Sequence, residues 1–192
     1  MMVLTMRISA RNASGERSNA EEHGMTGGTL GRQPQRSAAT TIGPLVVVAA
    51  TLATAVGGSL TADFRSAWYQ DLQKPSWQPS GRVIGSVWTI LYPLIAIAGV
   101  LLWKTPTGRR DRGLLTLFSL QWVLNFLFTP LLTRRRSLVL AALDCGALAA
   151  VVWLLVGKAL PIRRPAGLLL APYGLWTTFA TVLSLALLRR NS

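Results

Sequence analysis

Few residues of this chain could carry out acid–base, nucleophilic or metal chemistry. It has one histidine, His23, one cysteine, Cys145, and a single acidic residue within its long apolar segments, Asp144. Catalytic triads and metal centres need clusters of such groups, so the sequence predicts no hydrolase site, no metal site and no required cofactor. A lone carboxylate is costly in an apolar medium. We therefore expect Asp144 to face the protein, either as a hydrogen-bonded clasp to tyrosine, indole or amide groups or as a contact for a ligand or proton.

Two amides lie on one face of a predicted helix. Gln121 and Asn125 are four residues apart, and Phe128 borders the same face three residues later. Residues at this spacing are neighbours on a helix surface. Amides on an apolar helix either hold neighbouring helices together or line a polar pocket, and the spacing alone favours neither.

Aromatic residues at helical spacing form two further stripes. Trp88 and Tyr92 lie in one apolar segment, and Tyr173, Trp176 and then Ala180 lie in another. Both tryptophans are well inside their segments, whereas tryptophans that anchor a protein at the membrane surface lie near the ends. The stripes either pack helices together or line a pocket for a flat, apolar ligand with a few polar edges.

The segments that carry these residues are long enough to cross a membrane. Runs free of lysine and arginine are 26, 21, 21, 21 and 24 residues long. A helix of about 21 residues is about 31 Å long, which matches the apolar core of a bilayer. The sequence therefore predicts an all-α integral membrane protein, a bundle of five transmembrane helices at about 43–62, 81–103, 113–132, 137–157 and 167–188.

The remaining segments are an extension and short connections. Residues 1–40 are rich in serine, glycine, arginine, asparagine and threonine and show no apolar periodicity, so a disordered N-terminal extension is predicted. Residues 41–190 form the membrane domain. Because the connections after the second helix are short, we expect consecutive helices to be antiparallel neighbours.

The net charge of +13 does not indicate nucleic acid binding. The basic residues lie at the ends of the predicted helices, as is typical of anchoring to lipid headgroups, and no zinc-finger or basic-zipper spacing occurs. Nine basic residues flank the helices on the side of the N-terminus and eight on the other side, so their distribution does not determine the orientation.

The loop at 63–80 has an unusual composition. It contains the sequence WYQDLQKPSWQP, in which Asp71 and Lys74 are the only charged residues. Proline restricts its own backbone and that of the preceding residue, which favours a stiff, extended loop. We expect a lid over the bundle mouth, with both charges hydrated; a plain interfacial anchor is the alternative. The predicted lid residues are Trp68, Tyr69, Leu72, Pro75, Trp77 and Pro79.

Four segments resemble the motifs of one family. The sequence WYQDLQKPSWQPSGRVIGSVWTILY at 68–92 is similar to the signature of the TspO/MBR family. In the same order follow QWVLNFLFTPL at 121–131, ALD at 142–144 and PYGLWTTFATVL at 172–183. The resemblance covers roughly residues 43–190 and implies a five-helix bundle, often dimeric, with a cavity capped by the loop after the first helix.

The resemblance also implies ligands and site residues. Family ligands are porphyrins, sterols and benzodiazepine-type drugs. Matching by motif assigns Trp88 and Trp176 to porphyrin binding, and to light-dependent porphyrin breakdown in some bacterial members. It assigns Ala180 and Leu183 to ligand contact on the last helix, and it matches Asn125 and Asp144 to polar family positions.

Four positions depart from the family pattern. Phe126 and Phe128 occupy a part of the third helix where many members have tryptophan, Ser80 replaces the second proline of the loop, and Ser184 replaces an asparagine. Polar ligand contacts by an indole N–H or an amide are therefore not expected at these positions, whereas aromatic stacking is retained.

Together these features predict a membrane receptor or carrier. Its ligands would be tetrapyrroles (porphyrins and haem precursors) and sterol-like molecules, and it would be a homodimer in the bacterial cytoplasmic membrane. Two alternatives remain open at this point: an enzyme that degrades porphyrin with light and oxygen through Trp88 and Trp176, and a helix-packing protein without a ligand. The ten predicted ligand-binding residues are Trp88, Tyr92, Gln121, Asn125, Phe128, Asp144, Tyr173, Trp176, Ala180 and Leu183.

Overall fold

Long apolar runs separated by short polar connections fold into helices throughout the described chain. The computed structural model describes residues 37–61, 63–106 and 111–192. Four helices are long and apolar enough to cross a bilayer, and α1 contributes a shorter apolar stretch, Ile42–Gly58. The predicted all-α, five-helix membrane bundle is confirmed. The helices are α1 (Ser37–Thr61), α2 (Ala67–Asp71), α3 (Gly81–Lys104), α4 (Arg112–Thr133), α5 (Leu138–Ile162) and α6 (Arg164–Arg190).

Several helices extend beyond their predicted ends. Residues 37–40, predicted as part of the disordered extension, are helical, in keeping with the high helix propensity of Ala38 and Ala39. Helix α5 continues to Ile162, and α6 follows after the single residue Arg163. The rest of the predicted extension, residues 1–36, lies outside the described residues.

Short polar side chains define where three of the long helices begin. The hydroxyl oxygens of Ser80 and Ser137 accept hydrogen bonds from backbone N–H groups in the first turns of α3 and α5, and a carboxylate oxygen of Asp111 does so for α4. These caps satisfy backbone donors that have no partner within the helix. The helix boundaries are therefore encoded locally in the sequence.

The five long helices form a closed ring in which the order differs from the chain order. Around the ring, α1 packs against α3, α3 against α6, α6 against α5, α5 against α4, and α4 against α1. The expectation that all consecutive helices are close neighbours is wrong for α3 and α4. Helix α1 lies beside both, and the side chain of Phe118 on α4 reaches Gly99 on α3 across the space between them.

Helix α1 changes its partner along its length. In its first half, Gly43 packs against the indole of Trp103 on α3, and Val47 packs against Gly99. In its second half it contacts α4: Gly57 faces the ring of Phe126, and the Thr133 hydroxyl lies 3.2 Å from the carbonyl oxygen of Thr61, to which it donates. Helix α1 therefore diverges from α3 towards the end that carries residues 63–80.

Candidate functional site

The bundle encloses a cavity of about 740 Å³ at the end where α1, α4 and α6 finish and α3 and α5 begin. All five long helices and the loop at 63–80 contribute to its wall, and none of the lining side chains is charged. Small-molecule sites usually measure about 300–1,000 Å³, so the volume suits an organic ligand. We call this end of the bundle the lid end.

Most of the predicted ligand-binding residues meet at this cavity. Seven of the ten line it, and they come from α3, α4 and α6, which are far apart in the sequence: Trp88, Tyr92, Asn125, Phe128, Trp176, Ala180 and Leu183. The helical spacing proposed from the sequence therefore brings them to a common wall, where they are available to one ligand.

The aromatic rings of the wall are arranged in pairs. Trp88 stacks on Tyr92 with ring centroids 5.0 Å apart, and its edge meets the ring of Tyr173 at 6.0 Å. On the neighbouring helix α6, Trp176 stacks on Phe179 at 5.2 Å. Such contacts fix the rings in place, because each pair contributes about 0.5–1.5 kcal/mol beyond area burial. Both indoles are thus held at the cavity by protein neighbours on one side.

A chain of hydrogen bonds lies behind this wall. The Tyr92 hydroxyl donates to Asn125 Oδ1 at 3.4 Å, Asn125 Nδ2 donates to the Tyr173 hydroxyl oxygen at 2.8 Å, and that hydroxyl donates to Gln121 Oε1 at 3.0 Å. Tyr173 and Gln121 are fully buried and do not line the cavity. Their placement favours the helix-joining interpretation of the amide face, with Asn125 connecting this network to the cavity.

Asp144 does not form the predicted clasp to the amides. Its side chain is only 7% exposed and does not line the cavity, and its Oδ2 atom has no hydrogen-bond partner among the described residues. The side-chain amide of Asn125 forms hydrogen bonds with the hydroxyls of Tyr92 and Tyr173 instead. The adjacent Cys145 does line the cavity, where its sulfur lies 3.6 Å from the Ser184 hydroxyl oxygen.

The loop at 63–80 contains a short helix, α2, rather than a fully extended chain. The Lys74 ammonium donates to the carbonyl oxygens of Tyr69 and Gln70, at 2.7 and 2.8 Å, and lies 5.0 Å from the centre of the Tyr69 ring. Lys74 therefore caps the end of α2, where the helix dipole favours a cation. Asp71 is exposed as expected, and Lys74 is half-buried with its ammonium bonded to the loop backbone.

Two contacts hold the loop against the last helix and the residue that follows it. The side-chain amide of Asn191, just after α6, accepts from the Gln73 backbone N–H at 2.8 Å and donates to the Gln73 carbonyl at 3.2 Å. Trp77 is 47% exposed, yet its ring meets Phe179 at 5.9 Å. Since Phe179 stacks on Trp176, the loop is in contact with the aromatic wall of the cavity.

The six predicted lid residues have different positions. Tyr69 lines the cavity, Pro75 is buried, and Trp68, Leu72 and Pro79 are half-buried. Burial raises the pKa of the Tyr69 phenol above its ordinary value, and a hydrogen bond with Gln78 partly offsets this effect. The phenol therefore stays neutral at physiological pH and adds no charge to the apolar cavity.

Several cavity residues were not predicted from the sequence. Phe64, Gln70 and Gln78 come from the loop, and Phe179 from α6. Phe179 follows Trp176 by three residues, so helical spacing could have identified it. The glycines Gly81 and Gly85 had no chemical signal, because what they contribute is open space.

Comparisons with known proteins agree with this geometry. The sequence profile described as the TspO/MBR family matches residues 45–190. The chain is 32% identical over 152 residues to the uncharacterized membrane protein YtaB of Bacillus subtilis, covering 78% of this chain and 97% of that protein. It is 35% identical over 117 residues to the tryptophan-rich protein TspO of Bacillus cereus (61% and 76% covered) and 35% identical over 132 residues to the human translocator protein (65% and 75% covered).

Proposed function

Because the chain belongs to the TspO/MBR family of membrane proteins, we propose that its cavity binds tetrapyrroles, and that it acts as a receptor or carrier for them. One observation carries the proposal: an uncharged cavity of about 740 Å³ whose wall includes Trp88 and Trp176 on the neighbouring helices α3 and α6. A porphyrin is a large, flat aromatic molecule, and the walls of this cavity offer aromatic faces to it.

The aromatic pairs supply the main attraction. Trp88 is held by Tyr92 and Tyr173, and Trp176 by Phe179, so neither indole has to be ordered when a ligand arrives. Preorganised side chains lose little conformational entropy on binding. Stacking of a macrocycle on the free faces then adds about 0.5–1.5 kcal/mol for each ring pair beyond the burial of apolar surface.

Polar groups at the cavity are uncharged. The wall offers the amides of Gln70, Gln78 and Asn125 and the hydroxyls of Tyr69, Thr89, Tyr92, Thr129, Thr177 and Ser184. These groups suit the edges of a ligand rather than a charged centre, and the carboxylates of a porphyrin would extend towards the membrane surface. A sterol-like ligand also fits this polarity, but its saturated rings would not gain from stacking on the indoles.

The proposal extends to location and assembly. The relatives from Bacillus support the bacterial cytoplasmic membrane as the site of action. A homodimer agrees with the many large apolar side chains that the helices expose, although those side chains are also required by contact with lipid. Cross-linking in native membranes would test the dimer directly.

A binding titration in defined lipid vesicles tests the function. Protoporphyrin is titrated into the full chain and followed by its absorbance shift and by tryptophan quenching, with a sterol titrated in parallel. For Trp88→Leu together with Trp176→Leu, we expect the Kd to rise by about tenfold, because two stacking contacts worth about 0.5–1.5 kcal/mol each are lost.

The matched control is Trp153→Leu. Trp153 lies on α5, is exposed and does not line the cavity. We expect its Kd to stay within about twofold of the wild-type value, since it contacts no ligand. Equal affinities for wild type and the double variant would refute binding between the indoles, and tighter sterol than porphyrin binding would change the ligand class.

A further inference from the structure

The cavity is not sealed on all sides, and three of its five exposed lining residues lie on one helix. These three are Gly81, Gly85 and Thr89 on α3, and the other two, Phe64 and Gln70, belong to the loop at 63–80. The three on α3 are spaced four residues apart, so Thr89 lies about 12 Å along the helix from Gly81. The exposed part of the wall therefore extends from the membrane surface into the apolar layer.

The divergence of α1 from α3 explains this opening. Gly99 and Trp103 of α3, which pack against the first half of α1, lie on the same helix face as Gly85. A straight continuation of α1 would cover Gly85, but its second half packs on Phe126 and Thr129 of α4 instead. The lid-end half of this α3 face is left without a neighbouring helix.

The space beside Gly85 is empty. A Cβ atom built at Gly85 would meet no heavy atom within 4 Å, whereas one built at Gly57, on the facing helix, would lie 2.6 Å from the ring of Phe126. The Thr89 hydroxyl donates to the Gly85 carbonyl oxygen at 2.9 Å, so its polar group needs no water or protein partner. This side of the cavity is therefore compatible with contact with lipid.

We propose that the cavity opens sideways to the bilayer between α1 and α3, and that apolar ligands enter and leave through this α1–α3 opening. The lid end is less suited to this role, because Asn191 and Lys74 hold the loop in place by hydrogen bonds. A ligand dissolved in the membrane reaches Trp88 from the side without moving the loop.

Rapid mixing of protoporphyrin-loaded vesicles with vesicles that contain the full chain tests the opening, and this arm rests on the proposed function. Gly85→Phe places a ring in the empty space, and we expect the association and dissociation rate constants both to fall by about tenfold while the Kd changes less, as for a blocked gate. Gly85→Ala should have an effect of the same sign and smaller size.

The matched control is Gly157→Phe on α5. Gly157 is also exposed, has no atom within 4 Å of a built Cβ, and does not line the cavity. We expect wild-type rates for this variant. The proposed opening is wrong if porphyrin associates with Gly85→Phe as fast as with Gly157→Phe. It is also wrong if Gly85→Phe weakens binding only by raising the dissociation rate constant, because the new ring then merely occupies the space of the ligand.

A second arm does not depend on porphyrin binding. Cys145 is the only cysteine of the chain and lines the cavity, so its modification by the membrane-permeant reagent N-ethylmaleimide reports access. Gly85→Phe should slow the reaction by about fivefold relative to Gly157→Phe. Equal rates, or no reaction in the wild type, would exclude the opening. Failure of porphyrin binding together with slowed labelling would reject the proposed ligand and keep the opening.

Discussion

Two helix interfaces of the bundle are built from similar residue types but are packed differently. The interface between α5 and α6 is closed, whereas the interface between α1 and α3 is open at the lid end. Along α5 and α6, Val152, Leu155, Ala159, Ala166 and Leu170 are completely buried. At the lid end of α1 and α3, the corresponding faces diverge and leave Gly85 exposed. One side of the bundle is a tight wall, and the other side contains the cavity and its opening.

The difference shows what small residues do in a membrane bundle. In lipid, helices associate largely through close packing, so a glycine stabilises a contact only where another helix fills the space beside it. Gly167 on α6 has Leu160 of α5 directly against it. Gly85 has nothing, and its lack of a side chain keeps the cavity open instead of joining two helices.

The largest effect is expected from adding a side chain at Gly167, in the tightly packed interface. In Gly167→Ala, the new Cβ would lie 2.6 Å from side-chain atoms of Leu160 and 2.9 Å from its Cα atom, so the helices must separate. We expect a loss of about 2 kcal/mol in the free energy of unfolding, as is usual for overpacking. Thermal unfolding in detergent micelles measures it.

Gly85→Ala provides the counterpart. Because the site is open, the substitution should leave stability unchanged or raise it by up to about 1 kcal/mol through better helix propensity. If both alanine variants unfolded at the same temperature, the contrast between the two interfaces would be incorrect.

A middle-sized effect is expected from Tyr173→Phe. The variant removes the hydroxyl that accepts from Asn125 and donates to Gln121, and both amides then lose a partner in a buried place. We expect about 1 kcal/mol of destabilisation, since hydrogen bonds between membrane helices contribute about 0.6 kcal/mol on average.

Tyr92→Phe is the matched control for this network. Its hydroxyl makes one longer bond, 3.4 Å to Asn125, and its side chain is half-buried at the cavity. A larger loss for Tyr92→Phe than for Tyr173→Phe in the same unfolding assay would show that the network is centred on the cavity and not behind it.

The smallest effect is expected from Asn191→Ala, which releases the loop from α6. Two hydrogen bonds to the Gln73 backbone are lost at an exposed position, where water replaces them, so together they contribute only about 0.6 kcal/mol. Amide hydrogen exchange of residues 66–79 should become about threefold faster, while ligand association stays unchanged if ligands use the α1–α3 opening.

Ser192→Ala controls for the chain end, because the Ser192 hydroxyl bonds only to the Leu188 carbonyl of its own helix. Faster ligand association in Asn191→Ala than in Ser192→Ala would shift the main route to the loop and away from the membrane side.

Much of the site was accessible from local spacing. Trp88 and Tyr92, or Trp176 and Ala180, are neighbours on any α-helix, so their common face follows from the sequence. The role of Lys74 was not predictable in this way, since the proline content indicated an extended loop while residues 67–71 fold into a helical turn that a cation caps. Propensity arguments do not decide such short segments, which depend on their neighbours.

The sequence did not determine which buried polar groups form hydrogen bonds with each other. From the sequence, Asp144 and Asn125 were plausible partners, because both are polar and lie in spanning helices. In the fold, the hydroxyl of Tyr173 on α6 reaches α4 and forms hydrogen bonds with the side-chain amides of Asn125 and Gln121. Which of several polar groups pair is set by the distances between helices, and these are absent from a linear pattern.

The sequence by itself determined that the chain is a five-helix membrane bundle, and on which helix face each aromatic residue lies. Apolar length and a 3.6-residue period are local properties, and the bilayer permits few other structures. Only the tertiary structure decided that α1 packs on α3 in its first half and on α4 in its second half. This change of partner is why a cavity exists and has an open side. Helix crossing depends on the fit between side chains distant in the sequence, and no single segment encodes that fit.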